Sequence, residues 1–308
     1  MPQLPIADAG ASLCPGEAYL ADTPVLRPHI GTQPDLFLRW NAVPLDAAAI
    51  DVIVHLHGFS QQGRDMPLSE KVPRSGLDLS GRRRPTLALL PRGNWIRHYY
   101  YDFPALLGGG IDALIAYALQ KFSETHPLTL PSPPLGERVA KGRRGAPPER
   151  PPLAGGRPPR AGALSVDRLI LSAHSGGVMP ALDILAGAQR APDELYLFGG
   201  LYGRDPRRGD DGRDLEIIDH WLAGRLAAEP GRPGALRVVY IERETGPMSR
   251  DVAALLSKRL TGIDPAPASD LARRYRVERS AVPHAYVAAI CLPQLLAESG
   301  VEFDWSRV

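Results

Sequence analysis

One serine, Ser175, lies in a setting that could make it reactive. It is part of Ala173-His174-Ser175-Gly176-Gly177, which follows the apolar run LILS and precedes a helical pattern. A sharp turn from a strand into a helix is crowded, so the residues two before and two after the exposed side chain must be small. The spacing therefore predicts an exposed serine at such a turn. The alternative is that Ser175 only caps the helix, a role that does not need small residues on both sides.

A serine at such a turn can act as a nucleophile only with help. Its hydroxyl is weakly nucleophilic at neutral pH and needs a general base within hydrogen-bond reach. Histidine is the natural base, because its unperturbed pKa lies near 6.5. The sequence contains eight histidines, so the elements around each of them decide which could reach the serine.

The elements expected around Ser175 alternate between strands and helices. Runs of β-branched and aromatic residues, bounded by polar residues, Gly or Pro, predict strands at 35–40, 51–58, 86–93, 167–173, 194–200, 236–242 and 274–280. Apolar residues at helical spacing predict helices at 109–122, 177–188, 215–228, 249–260 and 284–299. Apolar strands separated by helices are typical of parallel sheets buried on both faces. We therefore expect an α/β fold with a mostly parallel central sheet flanked by helices on both faces.

If one more strand precedes this series, Ser175 follows the fifth strand. In this position, with Ala173 in place of the commoner glycine, the sequence resembles the α/β-hydrolase family. The resemblance runs from about Leu36 to Leu296, apart from an insertion. A second match is the stretch HLHGFSQQG at the end of the predicted strand 51–58.

The resemblance implies an oxyanion hole made of two backbone N–H groups. One belongs to Gly176, directly after the serine, and the other to Phe59 or, less favourably, Ser60 in the loop that follows His57-Gly58. Glycine at position 58 permits the sharp backbone turn that such a loop needs.

The family order of serine, acid and histidine implies that the base is His284, which follows the last predicted strand. The other histidines fit worse, because they lie in the N-terminal approach, in the insertion, in a helix or beside the serine: His29, His126, His220 and His174. A histidine at the start of a helix can also have no catalytic role.

The resemblance also implies that the acid orienting the imidazole lies just beyond the strand 236–242, where Glu242 and Glu244 occur. Glu244 is favoured slightly, because it lies further past the strand end. Some hydrolases take the acid from the preceding strand, but Gly199 and Gly200 fill that turn and leave Asp205 as the local alternative. A dyad without an acid, and a pair of solvated surface glutamates, also remain open.

Other chemistries fit the sequence less well. His55 and His57 are two apart on a strand and could share a metal, with Asp65, His98 or Asp102, but no metal-binding motif accompanies them. The sequence also lacks a glycine-rich phosphate loop. We therefore expect no metal and no cofactor.

Residues 126–164 differ from the rest of the chain. They hold ten of the 32 prolines, seven of the 36 Lys and Arg residues and only two of the 34 acidic residues. This composition predicts a disordered insertion within a single domain of residues 1–308. The remaining residues are slightly acidic, so the net charge of +2 does not indicate a nucleic-acid partner.

The chain shows no secretion signal and no run of about 20 apolar residues that would span a bilayer. Its two cysteines, Cys14 and Cys291, suit a reducing compartment, so a cytoplasmic location without membrane association is expected. The oligomeric state is left open.

The resemblance thus implies a serine hydrolase that acts on a carboxylic ester, thioester or amide of a small molecule or peptide, through an acyl-enzyme intermediate. The alternative is a non-catalytic binding protein of the same fold that has lost the acid of the triad.

Overall fold

A single eight-stranded sheet forms the centre of the protein. The computed structural model describes residues 12–58, 64–96, 100–126, 164–203, 212–228, 233–261 and 271–297. The strands are β1 (Gly16–Leu20), β2 (Leu36–Trp40), β3 (Ala49–Leu56), β4 (Thr86–Pro91), β5 (Ser165–His174), β6 (Glu194–Phe198), β7 (Ala235–Tyr240) and β8 (Tyr275–Arg279). Their order across the sheet is β1-β2-β4-β3-β5-β6-β7-β8.

All neighbouring strands are parallel except those that pair with β2, which is antiparallel to both β1 and β4. The central strands β3 and β5 pair from Ala49 with Ser165 to Leu56 with Ala173. Strand β3 is buried along seven of its eight residues, as expected for a strand covered on both faces.

Helices cover both faces of this sheet. They are α1 (Leu68–Ser75), α2 (Gly110–Thr125), α3 (Val178–Gly187), α4 (Arg213–Ala228), α5 (Glu242–Leu260) and α6 (Val287–Leu296). Alternate residues of the strands point into two separate cores. One core packs against helices α2 to α5, and the other against α1 and α6. The predicted fold class, a mostly parallel sheet flanked by helices on both faces, is therefore confirmed.

Two elements differ from the prediction, while strand β1 is the additional first strand that the series allowed for. Helix α1 was not predicted, because its eight residues contain Pro73, which interrupts a helical pattern. Helix α5 begins at Glu242 instead of near Ser249. Gly246 and Pro247 suggested a later start, but Thr245 Oγ1 accepts a 3.1 Å hydrogen bond from the Ile241 N–H at the helix entry, and acidic residues stabilise a first turn.

The predicted insertion falls almost entirely on residues 127–163, which lie outside the described residues. In the described part of the chain, no helix has the length and apolarity needed to cross a membrane.

Candidate active site

Ser175 occupies the sharp turn that the sequence predicts. It is only 4% exposed, however, and not exposed as expected, because Tyr202 and His284 pack against its hydroxyl. Strand β5 ends at His174, and a single 3-10 turn over Ser175–Gly177 leads directly into α3. Ser175 has φ 54°, in the left-handed region that residues with a side chain rarely adopt. Backbone strain of this kind is found where surrounding structure enforces it, often at functional sites.

The neighbouring backbones leave no room for larger residues at this turn. A Cβ on Gly177 would lie 2.5 Å from the Leu56 carbonyl oxygen, and one on Gly58 would lie 2.7 Å from the Ser175 Cβ. The end of β3 therefore packs directly against the turn, which explains why small residues surround the serine.

His284 lies beside this serine although 109 residues separate them. It follows β8 and opens the 3-10 turn His284–Tyr286 that precedes α6. Its Nε2 is 2.7 Å from the Ser175 Oγ. At this distance the serine hydroxyl donates a hydrogen bond to the imidazole, the contact that a general base needs.

Glu244 reaches the other nitrogen of His284. Its Oε2 is 2.6 Å from Nδ1, and the two side chains are 48% and 20% exposed. The carboxylate lies off the direction of the Nδ1–H bond, so the contact is a close charge contact and not a well-aligned hydrogen bond. Burial lowers the pKa of His284, while the charge of Glu244 and its contact raise it.

The other acids considered from the sequence do not share this position. Glu242 forms an ion pair with Arg250 further along α5. The two glutamates are two residues apart on a helix, so their side chains point about 200° apart around its axis. Asp205 lies outside the described residues.

The serine turn thus follows the fifth strand, the imidazole follows the eighth, and the carboxylate follows the seventh. The chain has the α/β-hydrolase fold. All three side chains meet at the carboxyl edge of the sheet, where open α/β sheets carry their ligand sites.

Solved structures of low sequence identity resemble this α/β-hydrolase fold over most of its length. A siderophore hydrolase from Aspergillus nidulans matches 98% of this chain and 99% of its own at 13% identity, with a TM-score of 0.44. An α/β serine hydrolase without lid from Xanthomonas campestris matches 96% and 94% at 12% identity, with a TM-score of 0.37. No protein-family model matches the sequence, and comparison with curated protein sequences gives no match.

Two side chains bind the backbone carbonyl of Gly58, at the start of the loop after β3. This oxygen accepts a 2.7 Å hydrogen bond from Lys71 Nζ and a 3.1 Å one from His57 Nδ1. The Gly93 N–H donates to His57 Nε2 at 3.1 Å, so the proton of this imidazole is on Nδ1. Gly176 is buried in the turn that follows the serine. Phe59 and Ser60, the other expected oxyanion donors, lie outside the described residues.

His55 and His57 are both engaged within the fold. His55 Nδ1 is 2.9 Å from the Ser172 Oγ, and His57 packs edge-on against the ring of Tyr101. Burial lowers the pKa of both imidazoles, that of His55 to about 3. In the described ranges, no three His, Cys, Asp or Glu side chains are grouped as metal ligands.

Two buried aromatic residues pack against the same histidine. The rings of Tyr101 and Phe103 both contact His57. They therefore help to fix His57, whose Nδ1 binds the Gly58 carbonyl.

His174, which the sequence did not favour as the base, binds the backbone of His284. Its Nε2 is 2.8 Å from the His284 carbonyl oxygen, which can only accept, so Nε2 carries the proton. Burial and the nearby His284 lower the pKa of His174 to about 3, which keeps it neutral. A residue of the serine turn thereby anchors the backbone of the imidazole loop.

Sequence reasoning missed Tyr202, which follows β6. Its hydroxyl oxygen is 3.1 Å from the Ser175 Oγ and 3.4 Å from the His284 Nε2. The signal was present in the two glycines before it. A Cβ on Gly199 would contact the His284 ring at 3.4 Å, and one on Gly200 would lie 2.3 Å from the Ser175 carbonyl oxygen. These glycines let the end of β6 approach the site closely.

Proposed function

We propose that the protein is a serine hydrolase that cleaves a carboxylic ester, thioester or amide through an acyl-enzyme intermediate. The observation that carries this proposal is the continuous chain from Ser175 Oγ to His284 Nε2, 2.7 Å, and from His284 Nδ1 to Glu244 Oε2, 2.6 Å. The positive φ of Ser175 supports it, because strained nucleophile turns of this kind present their hydroxyl above the sheet.

In the first half of the reaction, Ser175 Oγ attacks the carbonyl carbon while His284 Nε2 takes the hydroxyl proton. Glu244 stabilises the imidazolium that forms. The carbonyl oxygen becomes negative and accepts hydrogen bonds from backbone N–H groups, for which we propose Gly176 and Phe59. The imidazolium then protonates the departing group. In the second half, His284 activates water, which releases the acyl group and restores Ser175.

The anchored Gly58 carbonyl supports the oxyanion assignment. Lys71 and His57 both bind this oxygen, so the backbone that leads into the loop is fixed before the reaction begins.

The non-catalytic alternative was based on the absence of an acid after β6. The contact of the Glu244 carboxylate with the imidazole supports the catalytic proposal over this alternative. The glycines after β6 have a separate explanation in the close packing of their backbone against the site.

A fluorophosphonate probe tests the proposal directly. We expect the wild-type protein to be labelled and Ser175→Ala to be unlabelled, because the probe reacts only with an activated serine. Ser165→Ala, at the other end of the same strand and exposed, is the matched control and should label as wild type does. Absence of labelling in folded wild-type protein would refute the proposal.

The acyl group and leaving group remain to be assigned by activity. A series of p-nitrophenyl esters of rising chain length, measured beside peptide substrates, distinguishes an esterase from a peptidase. A thioester of the preferred acyl chain completes the comparison.

A further inference from the structure

Tyr202 places a third polar group against the two atoms that exchange the proton. Its hydroxyl oxygen lies 3.1 Å from the Ser175 Oγ and 3.4 Å from the His284 Nε2. The residue is 38% exposed, so a bound substrate can contact it. Nothing in the mechanism above uses this group.

The position of the hydroxyl indicates which substrate atom it meets. In acyl transfer, the departing atom must approach the imidazole nitrogen, because His284 returns its proton there. The carbonyl oxygen instead turns toward the backbone donors, away from the base. A group close to both the serine oxygen and the imidazole nitrogen therefore lies on the side of the departing atom.

We propose that Tyr202 is a catalytic residue that donates a hydrogen bond to the departing oxygen, an inference that rests on the proposed function. As the tetrahedral intermediate collapses, the bond between the carbonyl carbon and this oxygen breaks and its electron pair stays on the oxygen. The proton on His284 Nε2 moves to that oxygen, and Tyr202 keeps its own proton. In the second half, the attacking water occupies the same place and gives its proton to His284.

This role makes the contribution of Tyr202 depend on the leaving group. An alkoxide is strongly basic and gains much from a hydrogen bond as its charge develops. A p-nitrophenolate is already stable and gains little. An oxyanion donor, by contrast, would assist esters of both kinds equally, because the charge on the carbonyl oxygen is common to them.

The test is kcat/KM of Tyr202→Phe on two esters of one acyl group, an ethyl ester and a p-nitrophenyl ester. We expect a loss of about 10- to 100-fold on the ethyl ester, the range for one hydrogen bond to a charged group. On the p-nitrophenyl ester we expect a change of less than about threefold. The phenyl ring is retained, so packing of the side chain is preserved.

Tyr286→Phe is the matched control. Tyr286 is also an exposed tyrosine, at 55%, and lies two residues after His284. It should leave both esters within about twofold of wild type. Equal losses of Tyr202→Phe on the two esters, or no loss on either, would overturn the inference.

Failure of this inference is distinguishable from failure of the proposed function. If wild-type protein is labelled at Ser175 and hydrolyses both esters, the serine hydrolase assignment stands whatever Tyr202→Phe shows. If folded wild-type protein is neither labelled nor active, the proposed function fails, and the role of Tyr202 fails with it.

Discussion

At the scale of single residues, the contact between Ser175 and His284 makes the strongest prediction. We expect Ser175→Ala to lower kcat on any ester that is turned over by at least roughly 10³-fold, because the proposed covalent route is lost. His284→Ala should lower it nearly as much, since the hydroxyl then lacks its proposed base. Thermal unfolding of both variants should stay close to that of wild type. Full turnover by either variant would contradict the role assigned to its residue.

The contact between Glu244 and His284 predicts how the pH dependence of kcat/KM should change when the carboxylate is removed. Burial lowers the pKa of His284 and Glu244 opposes that effect. Among the described residues, Ser175, His174 and Tyr202 also lie against the imidazole. Glu244→Gln should therefore lower the pKa of His284 further. In the proposed mechanism the neutral imidazole is the base, so the acid limb of kcat/KM should move to lower pH while the plateau falls by about 10- to 10³-fold.

The measurement is kcat/KM on one p-nitrophenyl ester from about pH 4 to 9. Glu242→Gln is the matched control, because Glu242 lies on the same helical turn and pairs with Arg250 instead. An acid limb that stays in place or moves to higher pH in Glu244→Gln would contradict the assignment of the acid.

At the scale of elements, the end of β6 packs against the serine turn through a residue without a side chain. A Cβ at Gly200 would lie 2.3 Å from both the Ser175 carbonyl oxygen and the Val178 side chain. We expect Gly200→Ala to lower the free energy of unfolding by about 1–3 kcal/mol, as overpacking does. It should also lower kcat, because the turn that carries Ser175 must shift.

Gly224→Ala is the control for this change. Gly224 lies within α4, and a Cβ there would meet nothing within 4 Å. Alanine favours a helix over glycine by up to about 1 kcal/mol, so this variant should be as stable as wild type or more stable. Urea unfolding and ester turnover of the two variants make the comparison. Gly200→Ala with wild-type stability and activity would show that β6 does not constrain the turn.

At the scale of the whole molecule, a buried lysine links stability to pH. Lys71 is 4% exposed below the loop after β3. Burial lowers its pKa from 10.5 to about 7, with Arg74 and Arg92 acting in the same direction and Asp65 and Glu70 opposing them. The charge of Lys71 in turn lowers the pKa of His57 and His174. The centre of the Tyr101 ring lies 4.1 Å from the Nζ of Lys71.

The direction of this pH effect follows from the number of protons that Lys71 binds in the folded and unfolded chains. Below about pH 7 both folded and unfolded chains hold the proton on Lys71, so burial of the charge costs its full amount there. From about pH 7 to 10.5 the unfolded chain binds more protons than the folded chain, so this cost falls as pH rises. The contribution of Lys71 to the free energy of unfolding should therefore increase with pH, by on the order of 1 kcal/mol per pH unit.

The measurement is urea unfolding of wild type and Lys71→Met at several pH values in this window. As pH increases, the free energy of unfolding of wild type should rise relative to that of Lys71→Met. Lys258→Met, at an exposed lysine of α5, supplies the control. Curves for wild type and Lys71→Met that stay parallel throughout would contradict the lowered pKa.

Local patterns in the sequence were enough to predict most strands and helices, because buried elements have apolar residues at regular spacing. They also predicted the turn at Ser175, because such a turn requires small residues on both sides of the serine. The resemblance placed His284 after the last strand.

The start of α5 and the helix α1 could not be predicted, because Gly246 and Pro247 in α5 and Pro73 in α1 are local signals against a helix. Helix α1 forms because Leu68 and Val72 pack in the core shared with α6.

Only the tertiary structure decided which side chains meet at the sheet edge. It selected Glu244 over Glu242 for contact with His284, and it brought His174, Lys71 and Tyr202 to the serine turn and the adjacent loop. The physical reason is that these groups come from strands and helices far apart in the chain. Their distances depend on strand order and helix rotation, which no local pattern of residues records.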